Sequence, residues 1–546
     1  MTKYGKKSES VLSIQNLTIP LPISGDRKYA VENLSLEVGR NEILCIVGES
    51  GSGKSITSFS TMGLLPKILT PSNGKILFEG EDLLSMTETK RNGLLGDKMS
   101  MIFQEPMTAL NPCYTVGNQL NEVFKAHRNM SAKERKKRSL DLLREVKLPN
   151  PEILYTSYPH QLSGGQRQRI IIAIAIALNP SLLIADEPTT ALDVTTQAQI
   201  LRLFKELKDT HNAGIIFITH DFDVVAEIAD RIIVMQHGQI VEQGSADEIL
   251  CRPQHPYTRL LIDAVPRKTK VKCKIDVDKP VAISVENLSK TFITKGGLFK
   301  PSRIVEAVKS ANFSVKEGEI LGIVGESGSG KTTLVRCLIR LLKPNDNSKI
   351  NIGDLDFSNL SGSALRAERK NIQIVFQDPY GSLNPRRTIR ELLIEGPVNF
   401  GVSKKEALRR AKKLLKIVRL DGDILNRYPA QFSGGQRQRI CIARALAVEP
   451  KILIADEAVS ALDVSVQKEV LNLLNEIKIK FGLTIIFITH DLRVAAQLCD
   501  NILVMKDGQI VERGSVEDVF EAPKNEYTQK LLAALPGQNW EAPSFV

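Results

Sequence analysis

The stretch EILCIVGESGSGKS at 42–55 decides the fold: a short apolar, β-prone run breaks into glycines and ends in Lys-Ser. It returns as EILGIVGESGSGKT at 319–332, 277 residues later. In each copy a strand enters a glycine loop that opens a helix. That arrangement turns backbone N–H groups and a helix N-terminus toward a phosphate. The pattern GxxxxGK[ST] occupies Gly48–Ser55 and Gly325–Thr332. Gly48, Ser50, Gly51 and Gly53, with Gly325, Ser327, Gly328 and Gly330 in the second copy, let the backbone wrap the phosphates of ATP. Lys54 and Lys331 are placed to reach the β- and γ-phosphates, and Ser55 and Thr332 to ligate Mg2+, with Thr333 beside the second site. One match is open to accident. Two, each followed by an apolar strand ending in Asp-Glu, are not.

The repetition runs outward from these loops. FQEPMTALNP (103–112) returns as FQDPYGSLNP (376–385) at an offset of 273, while SGGQRQRI (163–170), IADEPTTALDV (184–194) and IIFITHD (215–221) return at an offset of 270. Such a period is too long for a solenoid and reads as a duplicated domain. Strands and helices alternate within each copy, as in an α/β parallel sheet covered by helices. LLIAD (182–186) and ILIAD (452–456) are continuous apolar runs, expected of strands buried on both faces. Residues 131–148 and 403–420 read as amphipathic helices, Leu408, Ala411, Leu415 and Val418 forming the apolar stripe of the second. The lysines and arginines around that stripe read as a solvated face, with a phosphate or lipid contact as the sharper alternative.

The buried runs end in Asp186–Glu187 and Asp456–Glu457. An acidic pair there caps the next helix or does chemistry. Next to a glycine loop, Asp186 and Asp456 suit Mg2+ held through its water shell, and Glu187 and Glu457 suit a water-polarising role worth ~10²–10⁴ in rate. Gln104 and Gln377, 50 and 46 residues after the lysines, are candidates to ligate Mg2+ and sense the γ-phosphate. His220 and His490 each end an apolar strand 33 residues after the glutamate. A lone histidine there is usually structural; the repeated spacing favours a γ-phosphate contact.

A second device lies 24 residues before each glutamate: QLSGGQRQR (161–169) and QFSGGQRQR (431–439). Ser163-Gly164-Gly165-Gln166 and Ser433-Gly434-Gly435-Gln436 would start long helices with open backbone donors. A domain with its own glycine loop needs no second cradle for the same nucleotide. The economical reading gives this cradle to the ATP of the other domain, in a head-to-tail pair.

The ordered set resembles the ATPases of ABC transporters over nearly the whole chain, with Ala191-Leu192-Asp193 and Ala461-Leu462-Asp463 matching the family's D-loops. Leu110–Pro112, Leu383–Pro385 and the tails HPYTRLLIDAVP (255–266) and NEYTQKLLAALP (525–536) resemble its oligopeptide and dipeptide importer branch. Within that branch the chain is most like the single-chain ATPases of Yej-type peptide and microcin C importers, with glutathione-type importers close behind. The resemblance implies two P-loop NTPase, ABC-type nucleotide-binding domains, each with a helical subdomain, at 1–265 and 281–546 around a linker at 266–280. It implies ATP and Mg2+ as cofactors, and attachment to two integral membrane permease subunits at the cytoplasmic face of the inner membrane. An extracytoplasmic substrate-binding protein would deliver a peptide. Asp193 and Asp463 join the nucleotide-binding set by the same resemblance. The family's adenine-stacking aromatic fits Tyr29; the equivalent position is Glu306 in the second copy, and Ala458 replaces the proline seen as Pro188.

Charge and composition agree with this frame. The net charge of +11 raises nucleic acid or a membrane surface as partners, but residues 1–265 carry −1, 266–280 carry +4 and 281–546 carry +8. A soluble twin-domain ABC ATPase acting on ribosome or DNA is the rival reading. It normally brings a long charged linker or zinc-binding CxxC modules, so no nucleic-acid partner is expected. The seven cysteines form no CxxC, the longest purely apolar run is Ile170–Leu178, and Met1–Ser10 has no apolar core, so no zinc site, membrane span or secretory signal is expected.

Overall fold

The computed structural model describes residues 10–22, 27–104, 109–189, 192–266, 278–294, 303–459, 462–538, 540 and 542–543. Ala191 and Ala461 of the D-loops and most of the expected linker, 267–277, lie outside the described residues. The chain divides into two compact units, Met1–Val265 with Leu535–Val546, and Pro266–Ala534. The described residues of 535–546 fall in the first unit. There Trp540 packs against the first unit's helical core, and Gly537, at φ +70, comes so near Asp223 that a Cβ would sit 3.0 Å from its Oδ1.

The first unit is built on a six-stranded sheet in the order Gln239–Ser245, Arg231–Gln236, Glu42–Val47, Gly214–Ile218, Leu182–Asp186, Met99–Ile102. All neighbours run parallel except the Gln239–Ser245 edge. Alternate residues of one strand serve two cores. Ile43, Cys45 and Val47 face the core shared with helices such as Gly164–Ile176, while Leu44 and Ile46 face the core shared with a four-stranded antiparallel sheet that carries Leu12, Ile14 and Val31. Double-sided burial is why these strands read as unbroken apolar runs.

Register then sets the chemistry. Asp186 pairs with Ile218, Ile102 with Ala185, and Val47 with Val234, so the parallel strands stop level with one another. The glycine loop, Asp186–Glu187, His220 and Gln104 all follow these carboxyl ends, the usual ligand edge of an open parallel sheet.

The second unit repeats the plan, in the order Ile372–Val375, Ile452–Asp456, Thr484–Thr489, Ile320–Val324, Asn501–Lys506, Gln509–Ser515, with its own four-stranded antiparallel sheet. Both expected amphipathic helices form. Ala132–Glu145 starts from a capping box between Ser131 and Glu134, and Lys404–Ile417 from the Ser403 cap. The second helix buries Ala407, Ala411, Leu414 and Leu415, with Leu408 only half-buried. On its outer face Glu406 binds Arg409 and Arg410, so part of the basic surface is internally paired. No helix among the described residues is long and apolar enough to cross a membrane.

Candidate functional site

The glycine loops need glycine for two separate reasons. Gly48 (φ +150) and Gly325 (φ +151) pass so close to the backbone that a Cβ would lie 2.2 Å from the carbonyl oxygens of Met235 and Met505. Gly53 and Gly330, at φ +105 and +102, form the N-caps of Lys54–Met62 and Lys331–Leu338, and no side chain caps either helix. The first-turn N–H groups therefore face the loop, where an anion is favoured. Ser50, Gly51, Ser327 and Gly328 form the exposed crowns. Lys54 is buried, and its Nζ donates to the carbonyls of Gly48 (2.6 Å) and Glu49 (2.8 Å) and to Ser52 Oγ (3.3 Å). Lys331 donates likewise to Gly325 (2.7 Å), Glu326 (2.8 Å) and Ser329 Oγ (3.5 Å). Ser52 and Ser329 were not singled out from the sequence, although each sits two residues before its lysine.

The acidic pairs divide into an inner and an outer carboxyl. Asp186 and Asp456 end their strands at 2% and 3% exposure, and Oδ1 of each is buried without a hydrogen-bond partner among the described residues. Burial raises the Asp186 carboxyl, against a hydrogen bond from Ser55 and the charge of Lys54. Burial and the neighbouring Glu457 push Asp456 up to about 6, against Arg336 and Lys331. A buried carboxylate oxygen left alone is costly. A hydrated divalent cation satisfies it, so this donor set fits Mg2+.

Glu187 and Glu457 both stand at φ +47, and their N–H groups bond the Ile218 and Ile488 carbonyls at 3.0 Å. A left-handed non-glycine residue costs roughly 1–2 kcal/mol. Both copies accept that strain at the same residue, directly after the aspartate. Each glutamate joins the glutamine and the histidine. Gln104 Nε2 donates to Glu187 Oε2 at 3.0 Å, and His220 Nδ1 lies 3.1 Å from Oε1. In the second copy Gln377 Nε2 donates to Glu457 Oε2 at 2.6 Å, and His490 Nδ1 stands 3.6 Å from the same oxygen. Burial acts to raise Glu457, but His490 and Lys331 hold it below the ordinary range. Burial likewise opposes the charge on His490, yet Glu457 and Asp491 raise it above its ordinary value.

The signature segments start helices Gly164–Ile176 and Gly434–Leu446. The serine caps of both helices are closed into boxes. Ser163 Oγ accepts the Gln166 N–H and Gln166 Oε1 accepts the Ser163 N–H, and Ser433 and Gln436 do the same. A hydroxyl that accepts still carries its own proton, and the N–H groups of Gly164 and Gly165 lie outside the box. A Cβ on Gly165 would lie 2.5 Å from Thr196 Cγ2, and on Gly435 2.4 Å from Val466 Cγ1, so these glycines serve packing. Gly164 has nothing within 4 Å among the described residues. Asp193 caps the helix Val194–His211, accepting from the Thr196 N–H at 2.9 Å and from Thr195 Oγ1 at 2.8 Å; Asp463 holds the same position at the start of Val464–Phe481. Arg167 and Arg437, overlooked in the sequence, brace the signature helices by donating through Nε to the carbonyls of Pro159 and Pro429 at 2.7 Å.

The two sites differ around the loop entrance. Tyr29 opens the strand Tyr29–Gly39 with the Lys28 ammonium 5.0 Å from its ring centre, and Arg27 donates to the Gly51 carbonyl at 2.5 Å. At the corresponding place in the second unit, Glu306 pairs with Thr291 inside an antiparallel ladder.

The ABC transporter family model matches residues 31–190 and 308–460. A second model, the oligopeptide/dipeptide transporter C-terminal region, matches 241–302 and 511–543. Glutathione import ATP-binding proteins of Shigella dysenteriae serotype 1 and Escherichia coli strain K12 are 44% identical over 96% of this chain and 90% of their own length. A peptidoglycan transport ATP-binding protein of Agrobacterium fabrum is 42% identical over 96% of both chains. A solved ATP-binding cassette dimer bound to ADP and Pi is 33% identical over 43% of this chain and 98% of its own, with a TM-score of 0.39. Paired glycine loops, strand-end acids and signature helices thus stand inside two family matches on one polypeptide, and the chain belongs to the ABC transporter family as an ATP-binding, ATP-hydrolysing protein with two fused ABC domains.

Proposed function

We propose that this chain is the energy-coupling component of an ABC importer for peptides, held peripherally at the cytoplasmic face of the membrane by two integral membrane permease subunits. An extracytoplasmic binding protein supplies the substrate. The observation that carries the importer reading is the oligopeptide/dipeptide transporter region, which follows both ABC matches. The relatives are named for glutathione import and peptidoglycan transport, and both names are consistent with a peptide-containing cargo.

The glycine loops and Lys54 or Lys331 bind the ATP phosphates. Ser55, Gln104 and Asp186, or Thr332, Gln377 and Asp456, hold Mg2+, which when bound offsets charge on the β- and γ-phosphates. Glu187 or Glu457 orients the attacking water and takes its proton, while His220 or His490 bonds the γ-phosphate. Tyr29 stacks on adenine in the first site. Ser163–Gln166 with Asp193 completes the site containing Lys331, and Ser433–Gln436 with Asp463 completes the site containing Lys54. Open space at Gly164 among the described residues leaves that helix start accessible to a phosphate.

The test is purification of the tagged chain from membranes. Two integral membrane proteins are expected to accompany it, and vesicles containing the complex should take up a labelled oligopeptide only with ATP. Co-purification with ribosomes or DNA and no membrane protein would overturn the importer reading.

A further inference from the structure

The tails HPYT (255–258) and NEYT (525–528) lie within the matches to the oligopeptide/dipeptide transporter C-terminal region. In the structure each begins with a docking contact. The Glu242 carboxylate, on the edge strand Gln239–Ser245, accepts the N–H groups of Gln254 (2.6 Å) and His255 (3.1 Å). Glu512 takes those of Lys524 (2.7 Å) and Asn525 (3.2 Å) in the second unit. His255 Nδ1 then caps the helix Pro256–Asp263 by accepting the Tyr257 N–H at 3.2 Å, and Asn525 Oδ1 does the same for Tyr527 at 2.9 Å. Different capping residues therefore produce one geometry.

That geometry delivers a tyrosine to the glycine loop. Tyr257 is buried, and its hydroxyl accepts the N–H of Glu49 at 3.2 Å. Tyr527 accepts the N–H of Glu326 at 3.3 Å and donates to Glu326 Oε2 at 3.1 Å. Glu49 and Glu326 are the second residues of the two loops, and their carbonyls are the ones that hold Lys54 and Lys331 at 2.8 Å. The contact thus joins residues more than 200 positions apart (|i−j| of 208 and 201), in each unit separately.

We propose that Tyr257 and Tyr527 are positioning residues for the phosphate loops, each fixing the peptide that carries the lysine's carbonyl anchor before the nucleotide arrives. A loop lined by glycines loses more freedom on ordering than any other. A tether from the tail removes that freedom in advance, so less ATP binding energy goes into ordering the loop. The proposal rests on the loops being ATP sites and gives the tail motif a role in them.

The experiment compares Tyr257→Phe and Tyr527→Phe, which keep the ring and lose only the hydroxyl. One hydrogen bond of this type corresponds to about a three- to tenfold change in affinity. The expected result is a KM for ATP raised by that factor with kcat changed less than twofold and an unaltered thermal midpoint. Amide hydrogen exchange should accelerate over 48–54 in Tyr257→Phe and over 325–331 in Tyr527→Phe, with the other loop unchanged in each case. If both variants fold with wild-type KM and wild-type exchange in the loops, the phenols only pack and the proposal is overturned. A lowered midpoint with no change confined to the matching loop overturns it equally. Failure of the wild-type chain to bind ATP would instead remove the underlying site assignment.

Discussion

Glu187 Oε1 lies 3.1 Å from His220 Nδ1, and the matching Glu457–His490 pair is looser at 3.6 Å. Each glutamate is also held by the side-chain amide of a glutamine, Gln104 or Gln377, from a neighbouring strand end. Both therefore reach their place through three separate strands of a parallel sheet, not through local chain geometry. That arrangement suits the water-polarising role proposed for the glutamate.

Glu187→Gln and Glu457→Gln test that assignment directly. Glutamine keeps the size and the hydrogen-bonding reach but removes the base. Each single variant is expected to lose much of the steady-state ATPase rate, and the double variant to fall roughly 10²–10⁴-fold. Phosphate release in the steady state is the measurement. Unchanged turnover in either single variant would show that the two sites do not contribute together.

Much of this cluster could be read from the chain because it lies in short contiguous motifs that occur twice. Glycine loops, buried strand runs and signature helices have local periods, and their offsets of 270–277 identified the duplication. What escaped was set by tertiary register. The left-handed backbone of Glu187 and Glu457 leaves no mark, since glutamate rarely adopts it. The brace from Arg167 to Pro159 and the tether from Tyr257 to Glu49 each depend on which partner the fold brings near. The described residues of 535–546 follow the second copy in sequence but group with the first unit, where Trp540 adds to an apolar core. No periodicity over so few residues would have shown it.

The paired glycines of the signature separate packing from chemistry. Gly165→Ala drives a Cβ to 2.5 Å from Thr196 Cγ2, and overpacking of that kind typically costs about 1–3 kcal/mol. A lowered thermal midpoint is expected, recovered in part by Thr196→Ala. Gly164→Ala meets nothing within 4 Å, so its midpoint should stay the same or rise slightly. Its ATPase rate should nevertheless drop about ten- to a hundredfold, because a methyl group then occupies the approach of the phosphate. Full activity in Gly164→Ala would sink the cradle assignment.

The proposed head-to-tail pairing of the sites predicts a particular crosslink. Ser163 and the loop-crown residues Ser50 and Ser327 are all exposed in their own units. With exposed Cys113 and Cys251 replaced by serine, Ser163→Cys should crosslink to Ser327→Cys when the Glu187→Gln/Glu457→Gln chain is trapped with ATP. It should not crosslink to Ser50→Cys. The reverse pattern, Ser163 joined to Ser50, would place the signature over its own loop and overturn the composite sites.

The buried aspartates lead to an opposition between folding and loading that can be measured as a function of pH. Asp456 is pushed up to about 6 by burial and by Glu457, while an unfolded aspartate titrates near its ordinary 3.8. A carboxyl whose folded value is raised destabilises the fold where it is ionised. Here the penalty is complete above pH 6 and fades as the pH falls toward 3.8. At pH 7 the shift corresponds to roughly 2–3 kcal/mol. Asp456→Asn should therefore raise the thermal midpoint of the nucleotide-free protein at pH 7.5, with a smaller gain at pH 5. With Mg2+ and ATP present the order should invert, because the orphaned Oδ1 that weakens the empty fold is the oxygen assigned to the hydrated cation. Asp186→Asn should follow the same pattern in the first unit, where burial also raises the carboxyl but Ser55 and Lys54 oppose it. A variant that gains as much stability from Mg2+ and ATP as the wild type would show that Oδ1 is left unpaired for some reason other than the metal.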